Sequence, residues 1–209
     1  MAQGATGEWV DSEPLSSGDY NYAVQDFDGS GVSTLSSVVV YTAPEDLSTA
    51  QVGDYVGGGV YAGTITYDDS RQFHIIMGLA SSEQDAFNEW KTSNTATTGT
   101  DSLWDGKANT DAMIAAGELD HPSAALANNY TNEGLTDWYS PAKEEWQLLI
   151  DNLYAISHPE ATFHSADRWT STQSSADRAY GAKPGNGTTS STVLKSATYR
   201  TRPIRRVAV

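Results

Sequence analysis

Residues 134–146 read Gly-Leu-Thr-Asp-Trp-Tyr-Ser-Pro-Ala-Lys-Glu-Glu-Trp, and no other segment of the 209-residue chain constrains its fold as strongly. A glycine turn leads into an Asp137-Trp138-Tyr139 strand, after which Ser140-Pro141 opens an amphipathic helix. Ser140 suits the N-cap and Pro141 the first helical position. Glu144 and Glu145 fall in the first turn, where carboxylates meet the positive end of the helix dipole. Trp146, Leu149, Ile150 and Leu153 lie at i, i+3, i+4 and i+7, one apolar stripe on a helix predicted over 141–154. The segment is a βα unit of high aromatic content.

Other elements can be placed around it. Residues 1–33 are rich in Gly, Ser and Asp without a sustained period, and read as an extended arm that needs a partner to be ordered. Residues 36–42, Ser-Ser-Val-Val-Val-Tyr-Thr, are an uncharged β-branched strand, expected to pair within its domain or with another subunit. Gly57-Gly58-Gly59 marks a break, so the division expected is an acidic arm over 1–56 and a compact domain over 57–209. Residues 60–67 alternate, turn at Asp68-Asp69-Ser70 and return over 72–77, a β-hairpin. Residues 81–104 read as a polar loop with one short helical turn at 84–90. Ala112, Met113 and Ala116 set a helix over 109–117, ended by Gly117. Residues 199–209 alternate as a terminal strand, with Pro203 marking an edge or bulge.

The chain has no cysteine, which excludes disulfides, thiolate metal sites and a cysteine nucleophile. Its net charge of −15 argues against nucleic acid as a partner, since that binding depends on phosphate neutralisation. The charge is asymmetric: residues 1–70 have 11 carboxylates and no Lys or Arg, whereas residues 159–209 have 8 basic and 3 acidic side chains. No apolar run is long enough for membrane insertion. Nothing near Met1 reads as a signal peptide, which favours assembly in a host cytoplasm over secretion.

Catalytic and metal motifs are sparse. Asp26, Asp28 and Ser30 resemble the start of a Ca²⁺ loop, but position 12 of such a loop would be Ser37 rather than a bidentate Glu. An Asx-rich turn is preferred there, with a weak Ca²⁺ site as the alternative and no other cofactor expected. His74, His121, His158 and His164 have no convergent ligand spacing. With no nucleophile elbow, phosphate loop or acid pair, no catalytic residue is assigned and no enzyme activity is expected.

The ordered motifs extend well beyond the Asp-Trp-Tyr segment. They include Lys91-Thr92-Ser93-Asn94-Thr95 near Trp90, Gly99-Thr100, the run Asp105-Gly106-Lys107-Ala108-Asn109-Thr110-Asp111-Ala112-Met113, His121-Pro122, Trp169-Thr170-Ser171-Thr172-Gln173, and a closing segment with Arg205-Arg206. Over roughly residues 57–209 this series resembles the Lcl C-terminal-domain family, C-type-lectin-like domains of phage tail-fibre proteins and bacterial collagen-like adhesins. The resemblance implies an α+β, C-type-lectin-like fold, two helices on small antiparallel sheets, here preceded by an extended N-terminal arm containing a β-strand. It implies a virion protein of the tail fibre or tip, attached through its arm to other virion proteins. The expected assembly is a homo-oligomer, by analogy a trimer, that presents its domain to a host-surface glycan or protein. A structural decoration, neck or baseplate protein is the first alternative and a bacterial surface adhesin the second.

Enzymatic relatives of the fold use active-site cysteines, which this chain lacks. The Glu-Pro-Asn, Gln-Pro-Asp and Trp-Asn-Asp triplets of Ca²⁺-dependent sugar binding are also missing. Trp138 and Trp169 are assigned to the core, with Tyr139 and Pro141 in the same motif. Asp137 is expected to hold a backbone amide, and Arg205 and Arg206 to pair with carboxylates. The candidate binding surface is a long Gly/Ser/Thr loop between Trp169 and Tyr199, carrying Gln173, Arg178, Tyr180, Lys183 and Asn186, with Trp104 beside it.

Overall fold

A computed structural model describes residues 2–3, 9–10, 19–27, 33–42, 46–83, 87–156, 160, 163 and 166–209, with side chains from Asp46 onward. The chain divides into two units, Met1–Ser48 and Thr49–Val209. In the first, β1 (Ala2–Gln3) pairs with β2 (Trp9–Val10). There β3 (Asp19–Phe27) pairs antiparallel with β4 (Ser33–Thr42), running from Asp19 opposite Thr42 to Phe27 opposite Ser33. The uncharged β-branched run therefore finds its partner inside its own unit. Asp28 and Ser30 of the suggested Ca²⁺ turn lie outside the described residues, as do His158 and His164, while Asp26 stands in β3 opposite Thr34.

The second unit is a mixed assembly of three helices and short antiparallel sheets. β5 (Tyr55–Val56), β6 (Gly59–Thr66), β7 (Gln72–Met77) and the terminal strand form one sheet in the order terminal strand, β7, β6, β5. Gly57 and Gly58, at φ 55° and 72°, make the tight turn between β5 and β6. The expected break at these glycines is therefore a hairpin turn inside the sheet.

β8 (Asn88–Glu89) comes next, followed by the helices α1 (Gly106–Gly117), α2 (Pro122–Asn128) and α3 (Lys143–Leu153). The third helix, α2, is additional to the two expected. β9 (Arg168–Gln173), β10 (Arg178–Lys183) and β11 (Thr188–Leu194) form a three-stranded meander; β12 (Thr198–Tyr199) pairs with β8, and β13 (Ile204–Ala208) is the terminal strand on β7. The stretch between Trp169 and Tyr199 is thus mostly sheet, which corrects the expected long loop. Its Ser and Thr residues sit in the ladder because several of them, Thr170 and Thr189 included, are buried and hydrogen-bonded.

α3 begins two residues later than its sequence suggests, with Ala142 at the N-cap. The Ser140 amide is taken by Thr110 Oγ1 at 3.1 Å, and the Pro141 carbonyl accepts from the Ser171 amide at 2.7 Å. Both residues are thereby fixed to neighbouring elements instead of starting the helix. The Glu145 carboxylate folds back to accept the Ala142 amide at 2.8 Å, the reciprocal half of a capping box. The stripe Trp146, Leu149, Ile150 and Leu153 is buried against Val60, Ala62, Ile75, Met77 and Tyr139. A second cluster of Trp90, Met113, Ala124, Trp169 and Ala179 lies under α1 and α2.

Candidate functional site

The motif residues hold the second unit together. Asp105 caps α1 by accepting the Ala108 amide at 2.9 Å, and it also receives Arg206 Nη1 at 2.8 Å and Arg71 Nη2 at 3.0 Å. Burial works to raise the Asp105 carboxyl, but the Ala108 amide and the two guanidinium groups overcome it and hold the pKa low. Gly106 passes so close to α3 that a Cβ would strike Glu145 Oε2, the Ala142 amide and the Ser140 carbonyl. Its amide can therefore donate to Glu145 at 3.2 Å. Glu145 is fully buried and also accepts the hydroxyls of Tyr67 and Tyr139. Burial pushes its carboxyl up to about 7, against the pull of these donors and of Arg206.

The unit contains a second buried carboxylate. Glu83 receives Arg168 in a fork at 2.7 and 3.0 Å and Arg202 at 3.1 Å, with Arg200 at 3.8 Å. Arg168 and Arg202 are themselves fully buried, and Arg202 donates onward to the Gly78 carbonyl at 2.7 Å. A fully buried lysine, Lys195, is caged by the carbonyls of Thr95 and Ala176, by Gln173 Oε1 and by the Trp90 ring 4.5 Å away. Burial lowers its pKa to about 8, reinforced by Lys91 and opposed by Asp177.

Asp137 binds Arg205 bidentately at 2.9 and 3.1 Å, rather than holding a backbone amide. Arg206 pairs with Asp105, and Trp138, Tyr139, Pro141 and Trp169 are all buried.

The six candidate binding residues do not form one patch. Gln173 is committed to Lys195 and to the Thr97 amide at 2.9 Å, and Trp104 packs half-buried against the main core. Tyr180 lies beneath Lys143, 5.9 Å from the ring centroid, and Lys183 pairs with Asp167 at 3.3 Å. Only Arg178 and Asn186 are exposed, and they stand at opposite ends of the β10–β11 hairpin. Five residue steps of strand from Arg178 to Lys183 separate those ends by roughly 17 Å.

An open pocket of about 580 Å³ lies elsewhere, lined by Ser82, Asn88, Ala125, Leu126, Asn129, Tyr130 and Thr131. Four of these residues are held from behind. Ser82 stands on the 3-10 turn Ala80–Glu83, which the arginine cluster grips through Glu83. The Trp169 indole donates to the Asn88 carbonyl at 2.6 Å. Trp138 meets the Tyr130 ring edge-on at 4.9 Å, and Glu118 accepts the Asn129 amide. The local sequence signal for this site is the polar run Asn128-Asn129-Tyr130-Thr131-Asn132, to which the sequence alone assigns no role.

Among the described residues no three His, Asp or Glu side chains come together as a metal-holding group. Among the same residues no helix is long and apolar enough to cross a membrane. No family model matches the chain, and no curated protein sequence matches it.

Proposed function

We propose that the chain is a non-enzymatic recognition protein of a bacteriophage virion, a tail-fibre or tail-tip component. In this reading unit 49–209 is a C-type-lectin-like domain that faces the host surface, and the preceding unit attaches it to other virion proteins in a homo-oligomer. The observation that carries the reading is the pocket: an open, hydrogen-bonding cavity whose walls are clamped by Trp138, Trp169 and Glu83. A rigid scaffold under a polar cavity suits binding, because little ordering entropy remains to oppose association. Copies displayed together on one particle would turn weak single contacts into avidity.

The reading predicts saturable adsorption of the labelled full chain to host-type bacterial cells, competed by their purified surface polysaccharide. A folded sample that adsorbs to no cell surface, yet assembles with virion proteins, would overturn it in favour of a purely structural virion role.

A further inference from the structure

We infer that the pocket between α2 and the 3-10 turn Ala80–Glu83 takes one neutral sugar ring bearing an acetamido group, an N-acetylhexosamine residue of a surface polysaccharide. This rests on the recognition reading and names its ligand. The volume, about 580 Å³, accommodates a pyranose ring with its acetamido substituent. Among the described residues no charged side chain lines it, so a sulfated or acidic sugar would lose water there without gaining a counter-charge from them.

The lining divides into two chemistries. Ser82, Asn88, Asn129, Tyr130 and Thr131 are polar, the Ser82 hydroxyl already donating to the Leu79 carbonyl at 2.6 Å, whereas Ala125 and Leu126 form an apolar spot on the α2 wall. An acetamido group needs that combination, with donors and acceptors for its amide beside an apolar surface for its methyl. The Tyr130 ring, held edge-on by Trp138, supplies a rigid aromatic wall for the C–H face of the sugar. Asn129 is already oriented by Glu118, and Asn88 belongs to a strand pinned by Trp169, so the polar groups are placed before the ligand arrives.

The test is a titration of the full chain with N-acetylglucosamine, N-acetylgalactosamine and glucose, followed by backbone amide NMR shifts. Expected are saturable shifts at residues 82, 88 and 125–131, with a dissociation constant on the order of millimolar for an acetamido sugar. Asn129→Ala and Thr131→Ala, both at exposed positions, should each weaken binding about tenfold, one hydrogen bond's worth, without altering the rest of the spectrum. Ala125→Trp should fill the cavity and abolish the shifts. No saturable shifts, shifts centred on residues 178–186, or equal binding of glucose would overturn the inference.

Cell adsorption separates this failure from failure of the attachment reading. If wild type and Ala125→Trp adsorb equally, the pocket assignment falls and attachment stands. If the sugars shift the pocket but wild type adsorbs to no cells, attachment falls and the pocket stands.

Discussion

Two buried carboxylates, Glu83 and Glu145, show how one unit can use the same group in opposite ways. Glu145 is surrounded by neutral donors, two tyrosine hydroxyls and the amides of Gly106 and Ala142. Glu83 sits among cations, with Arg168 and Arg202 both fully buried against it. A carboxylate among neutral donors can take up a proton without leaving another charge behind. One that neutralises buried guanidinium groups cannot be removed without stranding them. Glu145 therefore joins α1 to α3 and is open to titration, whereas Glu83 locks the turn that supports the pocket.

The largest expected effect follows from that contrast. Glu83→Gln leaves Arg168 and Arg202 without their carboxylate and should destabilise the fold by about 3–5 kcal/mol, read from the urea midpoint. A loss no greater than that of an exposed pair would break the comparison. Glu145→Gln keeps the volume but sets an amide donor among donors, costing about 1–3 kcal/mol at low pH.

The same variant checks the pH dependence. Burial raises the native Glu145 pKa from 4.5 to about 7, so between those values the native chain holds a proton that the unfolded chain has released. Stability at this site is therefore full below pH 4.5, falls as pH rises through the window, and is lost above about 7. Unfolding midpoints across that window should fall in wild type and flatten in the variant.

Gly106→Ala sharpens the contrast further, since its Cβ would meet backbone at Ala142 and Ser140; about 1–3 kcal/mol should be lost by thermal or urea unfolding. The smallest effect is predicted for Asp137→Asn. Its partner Arg205 is largely buried, but Asp137 itself is 47% exposed, and solvent screening should limit the loss to about 0.5 kcal/mol by urea titration.

Periodicity made much of this legible. The hairpin of β6 and β7, the terminal strand and the α3 stripe follow from alternation or helical spacing over apolar residues. α2 escaped because Pro-Ser-Ala-Ala-Leu-Ala-Asn has too few large apolar residues to mark a face. The β10–β11 hairpin escaped because Gly, Ser and Thr are the residues of loops as well as of sheets. The buried ions were invisible for a different reason. Arg168, Lys195 and Arg202 read as surface by type, and only their long-range partners explain their burial. The pocket draws its lining from segments far apart in the chain, so no local pattern announced it.

The most direct test of the recognition account is incubation of the full chain with host-type bacterial surface polysaccharide, measuring both the retained complex and the polysaccharide's size distribution. The account predicts saturable retention with the size distribution unchanged. A shortened polysaccharide, or no retention by the folded chain, would contradict it.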